Sequence, residues 1–201
     1  MQQLVLDIGP AAAPDFDNYI AGPNAEALAR VRSLASGGLR EAIVYLWGDA
    51  GSGRTHLLRA AARANPGLVI ADDVETLDPA AQQQLFAAIN AARDGGAPVL
   101  AAGGAAPAGL ALREDLRTRL AWGLVYQLRP LNDAEKAQHL RAEAARRGLR
   151  LSEEVVGYLL TRLPRDLPSL NGVLDALDRY SLASKRPITL PLVRETLEAR
   201  R

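Results

Sequence analysis

Gly48-Asp49-Ala50-Gly51-Ser52-Gly53-Arg54-Thr55 has the residue types and spacing to hold a phosphate chain. Gly51 and Gly53 reach backbone angles that other residues avoid, so successive N–H groups can turn inward and form an anion nest. A helix starting near Arg54 would add its positive end to the nest. Gly48, Ser52 and His56 complete the cofactor-binding set. Thr55 is placed to offer its hydroxyl to Mg²⁺. The pattern G-x-x-x-x-G-[K]-[ST] is that of a P-loop, with arginine where lysine is usual. A guanidinium is a planar fork rather than a point charge. Phosphate binding, and hence ADP or ATP, is expected to survive this change, while hydrolysis by the chain itself is expected to be weak.

A second acidic element follows. Asp72-Asp73 closes a short apolar run, Leu68-Val69-Ile70-Ala71. Downstream of a P-loop, this arrangement lets Asp72 reach the water shell of a Mg²⁺ ion. Asp73 can then orient an attacking water.

These residues need strands ending at them and helices starting from them. The β-branched run 42–47 predicts a buried parallel strand leading into the glycine loop. Further strands are expected at 68–71, 98–102 and 124–128. Helices are expected at 24–34, 54–64, 80–92 and 112–120. Beyond Pro130 only helical periodicity remains, at 132–147, 152–162, 167–183 and 190–199. Asn132, Ser152 and Thr189 mark starts and Gly148 marks a stop. The expected fold class is α/β: a P-loop core with a parallel sheet, then a small all-helical domain. Only Ala64-Asn65-Pro66-Gly67 joins the loop helix to the second strand, so the sheet should lack one edge strand. The expected division is a leader at 1–18, a core at 19–130 and a helical domain at 131–201. Trp47 and Trp122 are expected to pack in the core.

Composition narrows the function. The chain has 201 residues, a net charge of +1 and no cysteine. A dedicated DNA-binding domain would carry a basic excess. Disulfides, thiol catalysis and Cys-ligated zinc are excluded. No apolar run approaches the roughly 20 residues that span a bilayer, and residues 1–10 do not read as a signal peptide, so a cytoplasmic location without membrane contact is expected.

The strand ending Tyr45-Leu46-Trp47, the loop with Arg54-Thr55-His56, the stretch Arg119-Leu120-Ala121-Trp122-Gly123-Leu124 and the helix start Asp133-Ala134-Glu135-Lys136 carry a resemblance. They resemble the AAA+ part of the DnaA family of replication initiators, and within it the short Hda branch of regulatory inactivators. The resemblance implies an AAA+ core followed by a helical lid. It implies that Arg119 is an arginine finger acting in trans on nucleotide held by a neighbouring subunit. It makes Arg165 the sensor II arginine of the lid, and sets Tyr19, Ile20, Gly22 and Asn24 near the adenine. Gln3, Leu4, Leu6 and Ile8 look like the peptide by which this branch grips the DNA polymerase sliding clamp. The implied partners are DnaA, the clamp and, through the clamp, DNA. Ala101-Ala102-Gly103-Gly104 departs from the family, which carries a polar sensor I residue there. The implied function is stimulation of the hydrolysis of DnaA-bound ATP. An autonomous ATPase that loads or remodels a helicase, and a nucleotide-free scaffold, remain alternatives, as does assembly into a homo-oligomer.

Overall fold

The computed structural model describes residues 13–162, 167–184 and 188–198. Among them, Pro14–Leu131 form one compact unit, and the described residues from Asn132 onward belong to another.

The first unit is a parallel sheet covered on both faces. Its strands are β1 (Ile43–Trp47), β2 (Val69–Ala71), β3 (Val99–Gly103) and β4 (Leu124–Gln127). The described sheet has four strands in the order β2-β3-β1-β4, every pair parallel. The helices are α1 (Ala25–Ala35), α2 (Arg54–Ala64), α3 (Pro79–Arg93) and α4 (Glu114–Leu120). Successive strand residues point to opposite faces, and this divides the core in two. Val44 and Leu46 of β1 and Leu100 and Ala102 of β3 join Val31 and Leu34 of α1 and Leu57, Leu58 and Ala61 of α2. Ile43, Tyr45, Val99 and Ala101 point the other way, onto Leu85 and Ile89 of α3 and Leu116 and Leu120 of α4. The two central strands are therefore apolar at nearly every position. The edge strands are less covered: β2 is only half-buried and β4 alternates half-buried with exposed. The link of only a few residues between α2 and β2 leaves no room for another strand, in keeping with the shortened edge.

Local signals set some of the helix ends. Asp78 caps α3 by accepting from the Ala81 N–H at 2.8 Å, with Pro79 at the first helical position.

The second unit holds α5 (Asp133–Arg146), α6 (Glu153–Arg162), α7 (Leu167–Ser184) and α8 (Leu190–Glu198). Asn132 and Glu135 form a reciprocal capping box at the start of α5. Gly148, at φ +73°, follows its end in the left-handed conformation that glycine tolerates. Two apolar clusters share α6 and α7. Val156, Leu170 and Leu174 face Leu140 and Ala144 of α5, while Val155, Leu159, Val173 and Leu177 face Ile188 and Val193. Arg147 pairs with Glu143 and with Asp175 of α7. The hydrogen bonds from Arg146 hold the Glu143 carboxyl below its usual range.

Candidate functional site: the glycine loop and its surroundings

The loop between β1 and α2 is shaped by close approach. At Gly48, a side-chain carbon would run into the Leu128 backbone carbonyl, so only glycine fits. Gly51 (φ +80°) and Gly53 (φ +95°) take left-handed angles. The Ser52 N–H donates to the Asp49 carbonyl at 3.1 Å, which closes the turn. α2 starts at Arg54 with Gly53 as N-cap, no side-chain cap and no acidic residue in its first turn. The first N–H groups of a helix have no partner inside it. Asp78 and Asn132 answer this need at α3 and α5; at α2 no side chain does, and the amides can take an anion. Two side-chain groups add to the same need. Ser52 Oγ and Arg54 Nη1 are both buried without a hydrogen-bond partner. Buried polar atoms of this kind are costly unless something pairs with them. A phosphate chain would satisfy both, and the space beside Gly51 is open. The residues therefore fit the group that the sequence implied.

Thr55 Oγ1 donates to Asp72 Oδ2 at 2.6 Å, which ties the loop helix to the end of β2. This is where a divalent ion would bridge phosphate and protein. No group of three His, Cys, Asp or Glu among the described residues could hold a metal without such a ligand. The Asp73 carboxylate lies 3.2 Å from Arg54 Nη2 and pairs with the loop's own arginine. Asp73 is also the one described non-glycine residue at positive φ, +42°. Such backbone strain collects at functional sites.

Sequence reasoning missed Glu75 and Tyr45. Glu75 Oε1 accepts from the Gly104 N–H at 2.8 Å. A Cβ on Gly103 would sit 2.7 Å from Glu75 Oε2, and one on Gly104 would sit 2.9 Å from Glu75 Oε1. The end of β3 thus leaves little room for a side chain: the Glu75 carboxylate, from the turn after β2, lies there, and a Cβ on Gly103 would also meet the Tyr45 hydroxyl. Tyr45 is fully buried and donates to the Ala105 carbonyl at 2.8 Å. Burial, and then the Glu75 charge, push its hydroxyl far above the usual tyrosine range, with Arg54 acting in the opposite sense. The paired glycines were the only available signal, since adjacent glycines at a strand end mark a close approach.

The segment before α1 reaches the loop. A Cβ on Gly53 would meet Tyr19 Cε2 at 2.7 Å, so the tyrosine ring lies on the loop. Burial pushes the Tyr19 hydroxyl up to about 12. Asn24 is buried and locks to Arg129 in both directions, each bond 2.8 Å. His56 Nε2 lies 2.9 Å from the Asp15 carbonyl, so this nitrogen carries the proton and donates. Its ring packs 5.4 Å from that of Tyr19. His56 thus anchors the incoming segment to α2.

Residues 133–197 match the family described as Hda, lid domain. A Haemophilus influenzae protein of uncharacterized function is 31% identical, with 98% of each chain covered. The chain belongs to the Hda/DnaA-related AAA+ family. The fold agrees. Domain III of the Thermotoga maritima replication initiation protein DnaA superposes with a TM-score of 0.71 at 20% identity, covering 93% of this chain and 96% of that one. AMPPCP-bound DnaA from Aquifex aeolicus superposes with a TM-score of 0.67 at 19% identity, covering 88% of this chain and 71% of that one.

Arg54 is the departure from the P-loop pattern within the loop itself. Arg119 lies half-buried on α4, next to Trp122. Trp122 is not the core residue expected: it follows the end of α4, is 40% exposed, and has the Arg93 and Arg119 guanidinium groups at its ring. Trp47 is half-buried against the α3–α4 side of the core. Gln3, Leu4, Leu6, Ile8 and Arg165 lie outside the described residues. No described helix is long and apolar enough to cross a membrane.

Proposed function

We propose that this chain is a nucleotide-binding regulator that inactivates a DnaA-type replication initiator. The single observation that carries the proposal is the match of residues 133–197 to the Hda lid domain. In this reading the P-loop amides, Ser52, Arg54 and Thr55 hold ADP or ATP, and Asp72 orients the waters around Mg²⁺. The bound nucleotide supplies the negative charge that the uncapped start of α2 lacks. The segment containing Gln3, Leu4, Leu6 and Ile8 docks on the sliding clamp, which brings the chain to DNA. Arg119 then reaches ATP held by the initiator and stabilises the charge that develops on the transferred phosphoryl. The chemistry takes place in the partner's site. Pairing of Arg54 with Asp73, and a carboxylate at the end of β3, support weak turnover by the chain alone.

The test is phosphate release from an ATP-loaded DnaA-type initiator, with clamp loaded on DNA, with and without this chain. Acceleration is expected, with little release by this chain alone. Turnover by the chain alone, with no effect on the initiator, would favour an autonomous ATPase. The nucleotide site has its own test. Asp72→Asn is expected to lower Mg²⁺-dependent ADP affinity about 10- to 100-fold, as loss of a group that orients a metal's ligands does. Calorimetric titration with and without Mg²⁺ measures it. Equal affinities for the variant and the unaltered chain would remove Asp72 from the site.

A further inference from the structure

Trp122 has two arginines at its ring. The Arg119 guanidinium carbon stands 3.6 Å from the ring centroid and that of Arg93 stands 4.7 Å away. Arg119 also lies 5.3 Å from the Phe86 ring, which Arg113 approaches at 5.9 Å. These distances fall within the range over which a ring face attracts a cation. The arginines differ in how their donors are engaged. Arg113 is bound to Asp115 and, at 2.8 Å, to Gln83. Arg119 has no ion pair with a carboxylate among the described residues. It borders a cavity of about 550 Å³ also lined by Arg113, Glu114, Asp115 and Thr118.

A stack through the face of a guanidinium engages none of its N–H groups. Those five donors lie in the plane and point outward. A ring 3.6 Å from the guanidinium carbon therefore restrains the side chain without engaging its N–H groups as an acid would, and those donors suit an external oxyanion. A salt bridge would fix the arginine equally well but would consume those donors. An arginine held before contact also loses less rotamer freedom on contact. A tryptophan that is 40% exposed and approached by two guanidinium groups suits this task.

We infer that Trp122 is the positioning residue of Arg119: its ring presets the guanidinium plane, so that the arginine meets the partner's phosphates already oriented. This rests on the proposed function, because it needs Arg119 to act on a partner's nucleotide. Trp122 itself touches no reacting atom.

The experiment compares Trp122→Tyr, which keeps a ring face, with Trp122→Leu, which keeps apolar bulk and loses the face. Both are titrated into the ATP-loaded initiator with clamp on DNA, and phosphate release is followed. Trp122→Leu is expected to lower the maximal stimulated rate about tenfold. The concentration giving half-maximal stimulation should move less than about twofold. Trp122→Tyr should recover the rate to within about threefold. In an Arg119→Ala background, Trp122→Leu should cause no further loss, because the two residues act as one unit. A filler of the α3–α4 interface would instead give equal losses for Tyr and Leu, or a loss that persists in the Arg119→Ala background. Either result overturns the inference, as does a change in half-maximal concentration with the maximal rate intact. If the unaltered chain fails to accelerate hydrolysis, the proposed function fails and the inference falls with it. If it accelerates and Trp122→Leu acts like the unaltered chain, only the inference fails.

Discussion

Alanine at position 119 is expected to cut the stimulated hydrolysis of a DnaA-type partner's ATP by about a thousandfold, the lower end of the range for an arginine finger. The reason is electrostatic. In phosphoryl transfer the negative charge spreads over the phosphoryl oxygens, and a guanidinium at that point stabilises the transition state more than the bound nucleotide. Arg119 is suited to this because it forms no ion pair among the described residues and has a ring, rather than an acid, at its guanidinium. Arg119→Lys should recover little, since an ammonium neither stacks as a plane nor donates as a fork. Single-turnover phosphate release from preloaded partner measures the effect. ADP affinity of the variant controls for folding. An undiminished rate would refute the finger.

Gly123→Ala should destabilise the α/β unit by about 3 kcal/mol, the upper part of the usual range for forced overpacking. A Cβ there would lie 2.7 Å from the Ile43 carbonyl carbon and closer still to its oxygen. Both are backbone atoms at the start of β1, and β1 cannot yield without breaking its pairing with β3 and β4. The midpoint of thermal unfolding should fall by roughly 10 °C for a chain of this size. Trp47 and Trp122 both lie in this unit, so tryptophan fluorescence reports on it separately. Gly157→Ala is the contrast: nothing lies within 4 Å of its Cβ position inside α6, and the helical unit should gain up to about 1 kcal/mol. A loss at Gly157 or tolerance at Gly123 would contradict the packing described.

The sequence by itself determined the glycine loop, the acid pair after the second strand, the alternating α/β order and the helical region beyond Pro130. These are local properties. Gly51 and Gly53 are needed for backbone angles at their own positions, and the β1 run is apolar because that strand is covered on both faces. Asn132 and Gly148 likewise act within a turn of the helix they bound. Only the tertiary structure decided what meets across the loop. Glu75 reaches Gly104 over 29 residues, Tyr19 lies on Gly53, and Asp73 turns to Arg54. Trp122 lies outside the core for a related reason. Apolar character predicts that a residue seeks cover, but not whether the cover is a core or the guanidinium of Arg119. Side-chain identity sets what a residue can pair with. The partner is chosen by which distant segments the sheet brings together, and that information lies in no single stretch of the chain.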